Sequence, residues 1–323
     1  MSYRVAIIDD RFEAHDQERA VLAPIATLEV ERSTDPADIA AACRDADAVI
    51  VNLEPVPRWI IEGMRRCKII CRYGVGYDNV DIDAATECGI WVARVPDYGI
   101  EDVSDHALAL FLACVRKIPY TDRGIRDGGW GFPRNRPSYR IRGKTFGLLG
   151  YGAIARAVHR KLSGLGLARV LAHDPYVDAA EIRAAGAEPA GVDELLAASD
   201  YVSIHTPLTA ETRGMLDQAR LAAMKPTAII VNTARGGIID EPALADALRA
   251  GRLGYAALDV FETEPLAADS PLRDLDTVIL TDHHAYYTEE SVVELKTKAA
   301  ERVRTALEGG VPEAAINDPR RPA

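Results

Sequence analysis

Gly147-Leu148-Leu149-Gly150-Tyr151-Gly152-Ala153-Ile154-Ala155 is the stretch that decides the fold. Lys144-Thr145-Phe146 and the leucines read as a short buried strand, and Ile154 to Leu162 carries helical apolar spacing. Between them lies Gly150-x-Gly152-x-x-Ala155, the G-x-G-x-x-G/A form of the dinucleotide fingerprint. Gly150 allows a tight turn, Gly152 lets backbone approach a pyrophosphate, and Ala155 keeps the helix close to the strand. The first amides of the helix, from Ala153 and Ile154, then face an anion with the helix dipole behind them. Such glycines also make plain loops, so the surroundings matter. Arg169–His173 reads as the next strand, and Asp174 ends it, 24 positions beyond Gly150. That is close to the ~20 expected of a carboxylate that binds adenosine ribose hydroxyls. Asp174 would repel a 2′-phosphate, and no Arg follows until Arg183, so NAD is expected over NADP.

The remaining composition narrows the class. A chain of 323 residues has room for two domains, and 48% hydrophobic with 27% charged residues is globular. The net charge of −11 argues against a phosphate-gripping nucleic-acid surface. Five cysteines (Cys43, Cys67, Cys71, Cys88, Cys114) with no C-x-x-C pair suggest reduced thiols in a cytoplasmic protein. The N-terminal apolar run ends in Asp9-Asp10 and reads as a strand, not a signal peptide. Ala107–Val115 is too short to span a membrane. No metal site is expected.

Elsewhere, short apolar runs alternate with helical patterns. Val5–Ile8, Ala48–Val51, Lys68–Cys71 and Ile90–Ala93 read as strands, with helices at Pro36–Cys43 and Pro57–Arg66. This is βαβ alternation with a parallel sheet. Arg72-Tyr73-Gly74-Val75-Gly76-Tyr77-Asp78-Asn79-Val80-Asp81 follows one strand. Its glycines can present amides to a carboxylate, or make a turn into a helix capped by Asp81. A long helix is expected from about Glu101 to Arg126, then an arm from Gly128 to Arg142 with Trp130, Phe132 and Tyr139. Arg134, Arg136, Arg140 and Arg142 on that arm could draw in an anion, or form a solvated or subunit-contacting face. Further strands end at Thr206-Pro207, at Thr233-Ala234-Arg235, at Asp259 and before His283, with Thr288–Leu307 as a last helix. Ligands of open parallel sheets bind beyond such strand ends.

Taken together, Arg72–Asp81, Gly143–Ala155, His205–Thr212, Met224–Glu241, Asp259–Pro265 and Thr281–Ala285 resemble the D-isomer-specific 2-hydroxyacid dehydrogenases. The resemblance implies an α/β fold of two Rossmann-like doubly wound parallel-sheet domains, one flavodoxin-like and one NAD-binding, with a cleft between them. The substrate domain would comprise residues 1–96 plus 290–323, and the NAD domain 97–289. A homodimer is implied as well. Carried over residue by residue, Arg235 would hold the substrate carboxylate and carbonyl, His283 would be the acid/base, and Glu264 its partner. Asp259 would orient the nicotinamide carboxamide, and Thr206, Pro207, Thr233, Ala234, His283 and Ala285 would line the cofactor. The Val75 and Gly76 backbone would bind the substrate carboxylate.

The chemistry agrees with these roles. Reducing a 2-keto acid takes a hydride from NADH and a proton at the carbonyl oxygen. A His beside a carboxylate favours its protonated form, and Arg grips a carboxylate bidentately. Three departures stand out: Ala155 for a third glycine, Asp282 where a proline is usual, and His284 beside His283. The H-x-A spacing to Ala285 selects His283. Asp282–Ser291 also resembles the corepressor branch, so an NAD-sensing binding protein on the same fold is the alternative. A dianionic keto acid, drawn by the arm arginines, is a further one.

Overall fold

The computed structural model describes residues 2–9, 11–131 and 137–320. The chain divides into two compact units, Met1–Gly99 with Thr288–Ala323, and Ile100–Tyr287. Both are α/β.

The first unit holds five parallel strands: β1 (Tyr3–Ile8), β2 (Ala26–Glu31), β3 (Ala48–Val51), β4 (Ile69–Arg72) and β5 (Trp91–Ala93). Their order is β2-β1-β3-β4-β5. All four residues of β3 and of β4 are buried, as expected where helices cover both faces of a parallel sheet. Asp35 caps the helix Pro36–Arg44 by accepting from Ala37 N at 2.8 Å. The helices Asp16–Leu22 and Glu289–Leu307 pack on each other, and the latter opens with a Thr288/Ser291 capping box.

The second unit holds seven parallel strands: β6 (Thr145–Leu149), β7 (Arg169–His173), β8 (Glu188–Pro189), β9 (Tyr201–Ile204), β10 (Ile229–Asn232), β11 (Tyr255–Leu258) and β12 (Val278–Leu280). Their order is β12-β11-β10-β9-β6-β7-β8. The chain winds outward through β7 and β8, then returns to place β9 on the other side of β6. That neighbouring pair is the topological switch point, where ligands of such sheets bind. Successive residues feed opposite layers. Leu149, Val202 and Ile230 join one core cluster, while Leu148, Tyr201 and Val231 join the other. Each such burial contributes about 1.5–3 kcal/mol.

Several elements depart from the sequence expectation. The helix expected over 101–126 is two, Ile100–Arg116 and Ile118–Arg126, separated by Lys117 at φ 55°. Pro119 explains the break: it lacks an N–H and begins a new helix more readily than it continues one. The helix expected over 57–66 shortens to Arg58–Glu62. The strands β2 and β8 and the helix Asp16–Leu22 are additional. Among the described residues, no helix is long and apolar enough to cross a membrane.

Candidate active site

The fingerprint loop lies at the switch point. Gly150 has φ 87°, and a Cβ there would lie 2.7 Å from the His205 carbonyl carbon and 2.8 Å from Thr206 N. Only glycine lets the loop sit against the end of β9. Gly152 begins the ten-residue helix Ala153–Leu162, and among the described residues no side chain caps that helix. A Cβ on Gly152 would meet nothing within 4 Å. Open space over uncapped helix amides, including those of Ala153 and Ile154, fits a pyrophosphate. Asp174 closes the loop from the side: its two carboxylate oxygens accept from Tyr151 N at 2.8 Å and Tyr176 N at 2.9 Å. Tyr151 is itself fully buried, with its hydroxyl 2.7 Å from His159 Nδ1. Thr206 and Pro207 follow β9, and Thr233 and Ala234 follow β10. The Thr233 hydroxyl oxygen is buried without a hydrogen-bond partner among the described residues. These groups share the carboxyl edge of the sheet, and they fit a dinucleotide.

The residues expected to act as acid/base and partner, His283 and Glu264, follow later strands of the same sheet. His283 Nδ1 lies 2.6 Å from Glu264 Oε2, and Glu264 Oε1 accepts from Phe261 N at 3.0 Å. Burial pushes the Glu264 carboxyl up. The His283 hydrogen bond and charge, the Phe261 amide and the Arg235 charge outweigh it and hold the group below the usual carboxylate value. An ionised Glu264 only accepts, so Nδ1 carries the hydrogen and Nε2 is the nitrogen left for chemistry. His283 sits at φ 56°, a conformation rare for a residue with a Cβ.

Asp259 explains how that conformation is held. Its carboxylate is 1% exposed. It accepts from Thr281 Oγ1 at 2.6 Å, His284 N at 3.1 Å and Ala285 N at 3.0 Å, while its carbonyl accepts from His283 N at 2.8 Å. In this structure Asp259 is thus the clamp of the whole His283 loop, a role separate from the carboxamide contact expected of it. Asp282, the residue in the usual proline position, faces His284: its Oδ1 lies 2.6 Å from His284 Nδ1. Its charge is therefore directed to His284.

Arg235 follows β10 on a loop tied down by Asn232. The fully buried Asn232 amide donates to the Arg235 carbonyl at 2.8 Å and accepts from Ala234 N at 3.0 Å. Sequence reasoning passed over Asn232; its signal was a lone amide ending an otherwise apolar strand. The next residue, Gly236, packs backbone to backbone, since a Cβ there would lie 1.8 Å from the Phe261 carbonyl carbon. Arg235 and Glu264 are thereby fixed in one framework.

In the first unit, Asp81 caps the helix Ile82–Glu87 by accepting from Ala84 N at 2.8 Å. Val75 and Gly76 lie upstream in the same loop. Of the arm arginines, Arg134 and Arg136 fall outside the described residues, while Arg140 and Arg142 are exposed. Burial pushes the Cys43, Cys71 and Cys114 thiols up to about 12, which disfavours a thiolate nucleophile.

Comparison with known proteins gives the family. The family model described as D-isomer specific 2-hydroxyacid dehydrogenase, NAD binding domain, matches residues 108–285. D-3-phosphoglycerate dehydrogenase of Mycobacterium bovis is 43% identical over 281 residues, 86% of this chain and 52% of that protein. The chain thus spans about half the length of this relative. Glyoxylate reductase of Korarchaeum cryptofilum is 37% identical over 85% of this chain and 83% of its own length. The crystal structure of a glyoxylate reductase from Paecilomyes thermophila superposes with a TM-score of 0.88 at 31% identity, covering 98% of this chain and 99% of that one. The chain belongs to the D-isomer specific 2-hydroxyacid dehydrogenase family.

Proposed function

We propose that the protein is an NAD-dependent D-2-hydroxyacid dehydrogenase that works as a 2-keto acid reductase. The observation that carries this reading is the His283–Glu264 pair at 2.6 Å, in one framework with Arg235. Arg235 grips the substrate carboxylate and polarises the carbonyl. His283 Nε2 gives its proton to the carbonyl oxygen, or takes it from the hydroxyl in the reverse direction, and Glu264 stabilises the charged imidazole. Bound NAD supplies or receives the hydride. Gly150, Gly152, Ala153 and Ile154 hold its pyrophosphate, and Asp174 selects the unphosphorylated ribose. Thr206, Pro207, Thr233, Ala234, Asp259 and Ala285 border the nicotinamide half. The Val75 and Gly76 amides receive the substrate carboxylate.

The same reading includes a homodimer joined through the second unit. Exposed Ile118, Ile125, Trp130 and Tyr139 support it, and light scattering at micromolar protein would show one copy or two. The reaction is tested with a panel of small 2-keto acids. Oxidation of NADH by at least one acid, favoured over NADPH about tenfold or more, is expected from the Asp174 argument. No turnover on any member would remove the assignment.

A further inference from the structure

The loop after β4 carries more organisation than a turn requires. Tyr73 N donates to the Val51 carbonyl at 2.8 Å, and Tyr73 Oη donates to the buried Glu18 carboxylate at 2.5 Å. Asn79 Nδ2 donates to the Glu54 carbonyl at 2.8 Å. Entry and exit are thus anchored, and Gly74 turns between them at φ 133°. The middle is held by the chain at residues 94–95. The Gly74 carbonyl accepts from Val95 N at 2.9 Å, and the Val75 carbonyl accepts from Arg94 Nη1 at 3.1 Å. Both peptide bonds are trans, so each carbonyl points opposite to the N–H that follows it. With both carbonyls turned toward residues 94–95, the Val75 and Gly76 N–H groups project to the other side together. Two successive amides on one side form an anion-binding concavity. The Tyr77 ring lies 5.4 Å from the Arg94 guanidinium carbon and steadies it.

We propose that Arg94 is a positioning residue that fixes the Val75–Gly76 peptide and so aims the amides that receive the substrate carboxylate. This rests on the reading of those amides given above. Arg94 acts through the Val75 carbonyl, so it controls substrate affinity and leaves the proton and hydride steps alone.

The test compares wild type, Arg94→Met and Arg94→Gln on a 2-keto acid that the wild type reduces. Arg94→Met is expected to raise KM for the keto acid about tenfold, the worth of one charge-assisted hydrogen bond, with kcat within about twofold. NADH affinity, read by fluorescence titration, stays unchanged. Arg94→Gln keeps an N–H donor without the charge and brings KM back to within about threefold of wild type. An unchanged KM in Arg94→Met overturns the proposal. So does an equal KM rise in Arg94→Gln, which would mean that Arg94 acts by charge on the substrate. Should Arg94→Met not fold, Arg94→Asn takes its place, with the same expected rise and the same overturning result, because its amide is too short to reach the carbonyl. A wild type that reduces no 2-keto acid removes the reaction and this role together; wild-type turnover with an unmoved KM removes only the role.

Discussion

Two Gly-x-Gly loops follow parallel strands in this chain, Gly74-Val75-Gly76 after β4 and Gly150-Tyr151-Gly152 after β6, and they end differently. Gly152 leads straight into a ten-residue helix whose first amides no side chain caps among the described residues. After Gly76 the chain runs on to Asp81, whose carboxylate takes the Ala84 amide of a six-residue helix. One helix start is open to an external anion, and the other already holds an internal one. Glycine spacing is alike in both; the residue at the cap decides which loop suits a phosphate.

The largest expected effect lies in neither loop. His283→Ala should lower kcat about a thousandfold while NADH affinity changes less than twofold. Steady-state rates with a fluorescence titration check it, and retention of a tenth of wild-type kcat would sink the assignment. Next, Gly152→Asp makes the open helix start copy the filled one. The space over Gly152 admits the side chain, so the fold should survive while NADH affinity falls about thirtyfold through charge repulsion at the helix start. Unchanged affinity would mean that no pyrophosphate binds there. Asp174→Ala should shift the ratio of kcat/KM for NADPH over NADH upward about tenfold, and an unmoved ratio would free Asp174 from cofactor choice. The smallest effect belongs to the other loop. Asp81→Ala should cost about 1 kcal/mol in denaturant unfolding and leave NADH binding alone. A loss of nucleotide affinity there would erase the distinction between the loops.

Much of this was legible in the sequence, for definite reasons. Central parallel strands such as Ala48–Val51 and Ile229–Asn232 are unbroken apolar runs because both their faces are covered. Two of the four edge strands, β2 and β8, escaped. β2 carries Glu29 and Glu31, and β8 is two residues ending in Pro189, since an edge faces water on one side and is guarded by charge and proline. The single long helix breaks before Pro119, which starts the second helix Ile118–Arg126. Their places past strand ends marked Arg235, Glu264 and His283 for inspection, but resemblance assigned their roles, because residues 29 and 19 positions apart meet only through the crossing of loops. The clamps Asn232 and Asp259 show the converse. A buried polar side chain that binds backbone leaves no periodic trace, so its partners emerge only in three dimensions.

Gly236 fixes something no side chain could. Because main chain touches main chain there, the backbone that carries Arg235 is held against the backbone at Phe261, whose amide donates to Glu264. Under the proposed function, substitutions elsewhere in the site would change which acid is accepted while that backbone contact stays. Diversification of substrate and preservation of chemistry become separable here, and the hinge of that separation is one missing methyl group.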